Sequence, residues 1–174
     1  MPRIELRTYI NAKQQVVFDL SRSVTLHKIS TAHTNETAIA GRTEGLMELN
    51  ESVTRRARHF GMYQTLTSKI TAFDPPIFFV DEMIEGTFKS FRHEHHFTTA
   101  EDRTLMTDYF DYTSPWGILG KLADFLFLKR YMRGLLEKRN ESIKEFAESG
   151  SGNLLQVNTD PLNTIFSGEL PVFR

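Results

Sequence analysis

The chain has 174 residues, of which 21 are Lys or Arg and 22 Asp or Glu, for a formal charge of −1, and 40% are hydrophobic. That balance is a globular domain's and argues against a nucleic-acid binder, which would be basic. The absence of cysteine excludes thiol catalysis, cysteine-ligated zinc and disulfides, and no apolar run is long enough for integral membrane insertion.

The length suits one domain with a sizeable core, to which 14 phenylalanines contribute much rigid apolar surface. Met1-Pro2-Arg3 is not followed by the apolar core of a secretion signal, so a cytoplasmic location is expected. Arg3–Ile10 alternates, with Ile4, Leu6 and Thr8 on one face, and predicts a strand. Asn11 is placed to cap a helix over Ala12–Ser21, whose Val16, Val17 and Leu20 recur at helical spacing. A break near Arg22-Ser23 precedes a second short helix, Val24–Ile29, and residues 30–43 are polar and read as loop.

From Glu51 the pattern becomes β-like. Strands are expected over Glu51–Phe60, Met62–Phe73, Ile77–Val80, Thr87–Thr98 and Thr104–Thr113, separated by Gly61, Asp74-Pro75-Pro76, Gly86 and Ala100–Arg103. Short connections without intervening helices imply an antiparallel sheet. From Gly117 to about Glu148 a broad apolar stripe predicts one long helix, introduced by Ser114-Pro115 and stopped by Ser149–Gly152. The expected division is therefore a domain over 1–150 and an irregular tail over 151–174, which docks on the domain, docks on a partner (a homodimer included) or stays disordered. A long helix cannot bury its stripe alone, so it should lie along the concave face of the sheet, giving an α+β fold.

This order of elements resembles the helix-grip fold of the START/SRPBCC superfamily. The strings that carry the resemblance include Gly45-Leu46-Met47, Phe78-Phe79-Val80-Asp81, Gly86-Thr87-Phe88-Lys89, Phe91 to Phe97, Met106-Thr107-Asp108 and Pro115-Trp116-Gly117-Ile118-Leu119-Gly120. They are similar to those of bacterial ligand-binding SRPBCC proteins. The resemblance implies a cavity for a hydrophobic ligand between sheet and long helix; it implies no particular reaction, because no catalytic motif is shared across that superfamily.

The residues themselves supply candidates for such a cavity. In the strand Phe91–Phe97, side chains alternate, placing Phe91, His93, His95 and Phe97 on the more apolar and therefore inner face. On the next strand the same argument turns Met106, Asp108, Phe110 and Tyr112 inward. A buried Asp108 needs a partner, and a histidine across the strand is the obvious one. The expected wall is Phe78, Phe91, Phe97, Met106, Phe110 and Tyr112 with Leu119, Leu122 and Leu126 from the helix, and His93, His95 and Asp108 give it polar direction. Trp116 stands where it would either gate the mouth or anchor the helix. Arg56 and Arg58 read as a solvated strand face, whereas Arg55 shares a face with Val53 and Ala57 and is a candidate for an anionic head group. The cations of the helix, Lys129, Arg130, Arg133, Lys138 and Arg139, read as an exposed face paired with Glu137, Glu141 and Glu145.

Three functions stay open at this point. The first is non-covalent binding or transport of a small lipid-like, polyketide-like or aromatic molecule. The second is a cyclase- or dehydratase-type enzyme with a cavity histidine as acid or base, and the third an interaction module with a filled core. No catalytic residue, cofactor or metal is assigned: His93 and His95 with Asp108 or Asp111 lack a convincing third imidazole.

Overall fold

The structure is a computed structural model, and it describes residues 2–114 and 127–150. A seven-stranded sheet is built from β1 (Arg3–Ile10), β2 (Thr37–Gly41), β3 (Ser52–His59), β4 (Met62–Asp74), β5 (Phe78–Glu85), β6 (Ser90–Ala100) and β7 (Arg103–Thr113). Its order is β1-β7-β6-β5-β4-β3-β2, and every neighbouring pair is antiparallel. Two short helices, α1 (Gln14–Ser21) and α2 (Val24–Ser30), follow β1, and the described part of the long helix, α3, spans Lys129–Glu148. Register shifts interrupt the β2–β3 and β4–β5 ladders; such bulges increase local twist and help a sheet curl.

The strand alternation is as expected. In β6 and β7 nearly every second residue is buried, including Phe91, His93, His95 and Phe97 on one strand and Met106, Asp108, Phe110 and Tyr112 on the other. Those rows form the inner face on which α3 lies. Its own buried residues, Leu136, Arg139, Asn140, Ile143 and Ala147, recur every three or four positions, and the helix touches α1, α2 and β1.

Two local expectations are corrected and one holds. Asn11 is not the cap of α1; that place falls to Lys13, and the Asn11 amide instead donates to Glu148 Oε1 at 2.8 Å, tying β1's end to that of α3. The break at residues 22–23 is real, and Ser23 caps α2 by accepting from the Leu26 amide. Residues 30–43 are more than loop: a 3-10 turn over Ala32–Thr34 leads into β2, the short edge strand beside β3. β2 was hidden because it is five residues long, sits in a polar stretch and is largely exposed on both faces, so no alternation marks it. The expected helix residues 117–126 and the tail lie outside the described residues.

The core divides into two apolar clusters. One gathers Phe18, Ile10, Val17, Met47, Phe79, Phe97, Met106 and Ile143; the other Ile4, Leu6, Phe91, Phe110, Tyr112 and Leu136. Phe18 is the hub of the first. It is fully buried and meets the rings of Phe73, Phe79 and Phe97 at centroid distances of 5.4–5.6 Å. Truncation to alanine removes the contacts of α1 with several strands at once. Phe18→Ala should lower the unfolding free energy by about 3–5 kcal/mol, read from urea denaturation followed by circular dichroism; a loss near 1 kcal/mol would show that α1 re-packs.

Candidate functional site

A polar layer separates the two apolar clusters. On β7 it is Asp108, between Met106 and Phe110; on β6, His93 and His95, between Phe91 and Phe97; on α3, Arg139 and Asn140, between Leu136 and Ile143. The strand register brings Asp108 opposite His95 and, on the other side, opposite Leu6 of β1. Asp108 is 1% exposed and is met from two directions. Its Oδ1 accepts from His95 Nδ1 at 2.6 Å and His93 Nε2 at 3.1 Å, and its Oδ2 accepts from Asn140 Nδ2 at 2.7 Å. The Arg139 guanidinium lies 3.7 Å from Oδ1 and donates to the Ser21 carbonyl at 2.7 Å.

The electrostatics follow. Burial alone would raise the pKa of Asp108, but the hydrogen bonds from His93 and His95 outweigh it and hold the carboxyl well below the usual carboxylate range. With Asp108 ionised and acceptor-only, both imidazoles donate to it. His95 goes the other way. Burial, then the charges of His93 and Arg139, push its pKa well below the usual imidazole value despite the nearby carboxylate. Its ring stacks on Phe79, with centroids 4.3 Å apart.

Above this layer lies a cavity of about 520 Å³ between the sheet and α3. The side chains of the described residues therefore leave the interior here unfilled. His93, His95 and Arg139 border its deep end, and Leu66, Phe88, Phe91, Phe110, Met132 and Leu136 supply apolar walls. A second polar group stands on one wall. Glu36 Oε1 accepts from His27 Nε2 at 2.9 Å and pairs with Arg55 Nε at 3.6 Å, while Arg55 Nη1 donates to Ser68 Oγ. Burial would raise the Glu36 pKa, but His27 and Arg55 together bring it below its ordinary value. Burial, with the charge of Arg55, lowers that of His27. Near the mouth His59 Nδ1 and the Tyr131 hydroxyl share a hydrogen bond of 2.8 Å. Among the described residues, two buried polar atoms of the cavity lining have no hydrogen-bond partner, Arg55 Nε and Asp81 Oδ1.

The expected site residues distribute as follows. Phe91, His93, His95 and Phe110 border the cavity. Asp108 does not; it sits behind the two histidines. Phe97 and Met106 face inward but belong to the cluster around Phe18, and Tyr112 to the other cluster, so none of the three borders the cavity. Phe78 is on the wrong face: it stacks on His96, with centroids 5.8 Å apart, and Phe79 takes the inward place. The run Ile77–Val80 is apolar throughout and carries no parity to decide between them. Trp116, Leu119, Leu122 and Leu126 lie outside the described residues. Arg55 does border the cavity, and Arg56 and Arg58 are both exposed, on the outer side of β3. Of the helix cations, Arg133 pairs with Glu137 at 2.8 Å as expected, whereas Arg139 is buried.

Sequence reasoning did not find Arg139, Asn140, Asp81, His27, Glu36, His59 or Tyr131. A signal existed for the first two, which occupy the positions three and four residues after Leu136 on the apolar stripe. Ligand atoms of His93, His95 and Asp108 lie within 4.8 Å of one another. They are held by mutual hydrogen bonds, and a metal ion there would face the guanidinium 3.7 Å from the same carboxylate oxygen; the geometry fits an ion-pair network better than a metal centre.

The network has a pH signature. The unfolded chain protonates a histidine near pH 6.5, whereas folded His95 stays neutral to lower pH. Between those two values the unfolded chain holds more protons, so stability falls as pH falls. Asp108 adds to the loss only in acid, as pH drops below the ordinary carboxylate value toward its depressed folded value. The unfolding free energy should decline from about pH 7 to about pH 5, and His95→Gln should flatten that slope by up to about 1.4 kcal/mol per pH unit. Identical slopes for parent and variant, in urea titrations at each pH, would show that His95 is not held neutral.

No family model matches the chain, and no curated protein does. Solved structures do. TTHA0849 from Thermus thermophilus superposes with a TM-score of 0.71 at 16% identity, covering 86% of this chain and 99% of that one. Ginseng major latex-like protein 151 from Panax ginseng gives 0.61 at 17% identity, over 84% and 97% of the two chains. A START superfamily protein from Mycobacterium smegmatis gives 0.63 at 9% identity, over 84% and 97%. The structural neighbours are START/SRPBCC helix-grip proteins, and the chain has their fold: an antiparallel sheet, two short helices after the first strand and a long C-terminal helix packed across the inner face.

Proposed function

We propose that the chain binds, non-covalently, a small molecule with an apolar body and a polar group. The cavity of about 520 Å³ carries this reading: its walls are mainly aromatic and aliphatic, with a few polar groups grouped at defined positions, which is the composition of a small-molecule site. The helix-grip likeness supports the same reading. A ligand of roughly 20 heavy atoms at about −0.3 kcal/mol per atom would bind with about −6 kcal/mol, a Kd in the tens of micromolar.

The polar atoms narrow the ligand. Asp81 stands opposite His93 on the neighbouring strand, and its buried Oδ1 lacks a partner. A hydroxyl or ammonium on the ligand would satisfy it. The Nε–H of Arg55 makes an ion pair with Glu36 at 3.6 Å but no hydrogen bond, and so offers the complementary place for a carbonyl or acidic group. Proton transfer is the second reading, and one contact favours it: His93 borders the cavity while its Nε2 is bonded to a buried carboxylate, which orients the ring.

The test uses the fluorescent sulfonate 1-anilinonaphthalene-8-sulfonate as probe, with a thermal-shift panel of fatty acids, long-chain alcohols and polycyclic phenols. The probe should bind with one site per chain, and Met132→Trp, which fills the apolar wall, should weaken it about tenfold without lowering the melting temperature. Arg55→Ala should selectively weaken acids, and Asp81→Ala selectively weaken alcohols and phenols, each by roughly fivefold to tenfold. A folded chain that takes up neither the probe nor any panel member overturns the reading.

A further inference from the structure

The mouth of the cavity is built unlike the rest of the surface. It lies where the β3–β4 hairpin tip, His59–Met62, meets the start of the described long helix at Phe127–Tyr131. Phe60 packs edge-on against Phe127, with centroids 6.1 Å apart, and against Tyr131 at 4.7 Å. These rings do not bury one another. Phe60 is 57% exposed, Met62 64%, Tyr63 55% and Phe127 52%. Phe60, Met62 and Phe127 border one opening, with Tyr63 beside them on the outer face of the hairpin, so they are a patch and not scattered exposure.

The hairpin and the helix start that frame the patch are basic, although Glu36, just ahead of β2, pairs with Arg55. Between Ser52 and Phe73 there is no Asp or Glu, but there are Arg55, Arg56, Arg58 and Lys69; residues 127–136 likewise hold Lys129, Arg130 and Arg133 with no acid. Arg56 and Arg58 are each folded back on the hairpin itself: Arg56 over the Tyr63 ring at 4.5 Å, and Arg58 donating to the Gly61 carbonyl. Lys129 and Arg130 stand on the facing helix near its described start. Arg133 is neutralised by Glu137. The chain as a whole carries a formal charge of −1, so this basic concentration is local.

We propose that this rim docks on an anionic lipid surface, with Phe60, Met62 and Phe127 in the headgroup–acyl boundary and Arg56, Arg58, Lys129 and Arg130 among the headgroups. Aromatic residues flanked by unopposed cations are what such an interface selects. The placement has a physical reason. An apolar molecule leaving an apolar cavity through this opening meets water unless the rim rests on lipid, so docking removes the hydration step from loading and release. No described helix is long and apolar enough to cross a membrane, and the docking proposed is interfacial. Docking itself does not depend on what the cavity holds.

The experiment is co-sedimentation of the full chain with extruded vesicles of phosphatidylcholine alone and of phosphatidylcholine with roughly one-third phosphatidylglycerol. The chain should pellet with the anionic vesicles and not with the neutral ones, and binding should fall steeply as salt is raised. Phe60→Ser with Met62→Ser should reduce partitioning about tenfold or more, and Lys129→Glu with Arg130→Glu should abolish the preference for phosphatidylglycerol. Both double variants should keep the parent's melting temperature, and Lys129→Glu with Arg130→Glu, which touches no residue of the cavity lining, should also keep its uptake of 1-anilinonaphthalene-8-sulfonate, which separates loss of docking from loss of the cavity. Absence of binding by the parent chain overturns the proposal, as does equal binding by parent and both double variants. So does a concentration-dependent dimer in sedimentation velocity that Phe60→Ser with Met62→Ser dissolves, since that would assign the patch to a second copy of the chain.

Discussion

The interior is organised around one ionised carboxylate. Asp108 is 1% exposed, and a charge taken that far out of water is tolerable only when its lone pairs are filled and a countercharge stands close. Here two imidazoles from β6 and one carboxamide from α3 fill them, and Arg139 supplies the countercharge. The same groups hold other parts in place: Asn140 also reaches Thr8 of β1, and Arg139 reaches the backbone at the end of α1. One carboxylate thus fixes the position of the long helix relative to β1, β6, β7 and α1. Hydrophobic contact alone would let a helix slide along an apolar sheet; directional bonds at one level do not.

The layer also decides where the molecule is solid and where it is hollow. Toward Phe18 the side chains of α1, α2, α3 and the sheet close around an aromatic cluster. Phe91, Phe110 and Leu136 of the other cluster border the cavity, where Met47, Ile70 and Phe79 from the edge of the first cluster join them. The dense end holds the geometry, so the open end needs no filling to keep its shape. His93 and His95 belong to both halves: each is bonded to Asp108 and each borders the cavity, so a molecule at the deep end meets donors and acceptors whose orientation is already set.

Much of this was legible in the order and periodicity of the residues. Alternation along Phe91–Phe97 and Thr104–Thr113 placed the histidines and Asp108 on the inner face, and the requirement that a buried carboxylate have a partner pointed to a histidine on the next strand. Three things were hidden for different reasons. Polarity makes Arg139 read as an exposed cation and leaves Asn140 without a role, whereas the helical positions of both, on the line of Leu136 and Ile143, say otherwise. Glu36 and β2 belong to a polar edge segment whose burial depends on what folds over it, which no local pattern reports. The four-residue apolar run around Phe78 has no alternation, so parity there comes only from the ladder with β6. Side chains that share a face are readable from spacing; which of them touch a void and which touch each other depends on how far the helix stands from the sheet.

The clasp at the mouth has a consequence for motion. Hairpin tip and helix are joined there by the His59–Tyr131 hydrogen bond and by aromatic contacts of rings that remain half in solvent. Parting them sacrifices little, whereas lifting the helix from the sheet one turn beyond Leu136 means stranding a guanidinium and a carboxylate in the interior. Local opening is therefore cheapest at the His59–Tyr131 end and dearest at the level of Asp108 and Arg139.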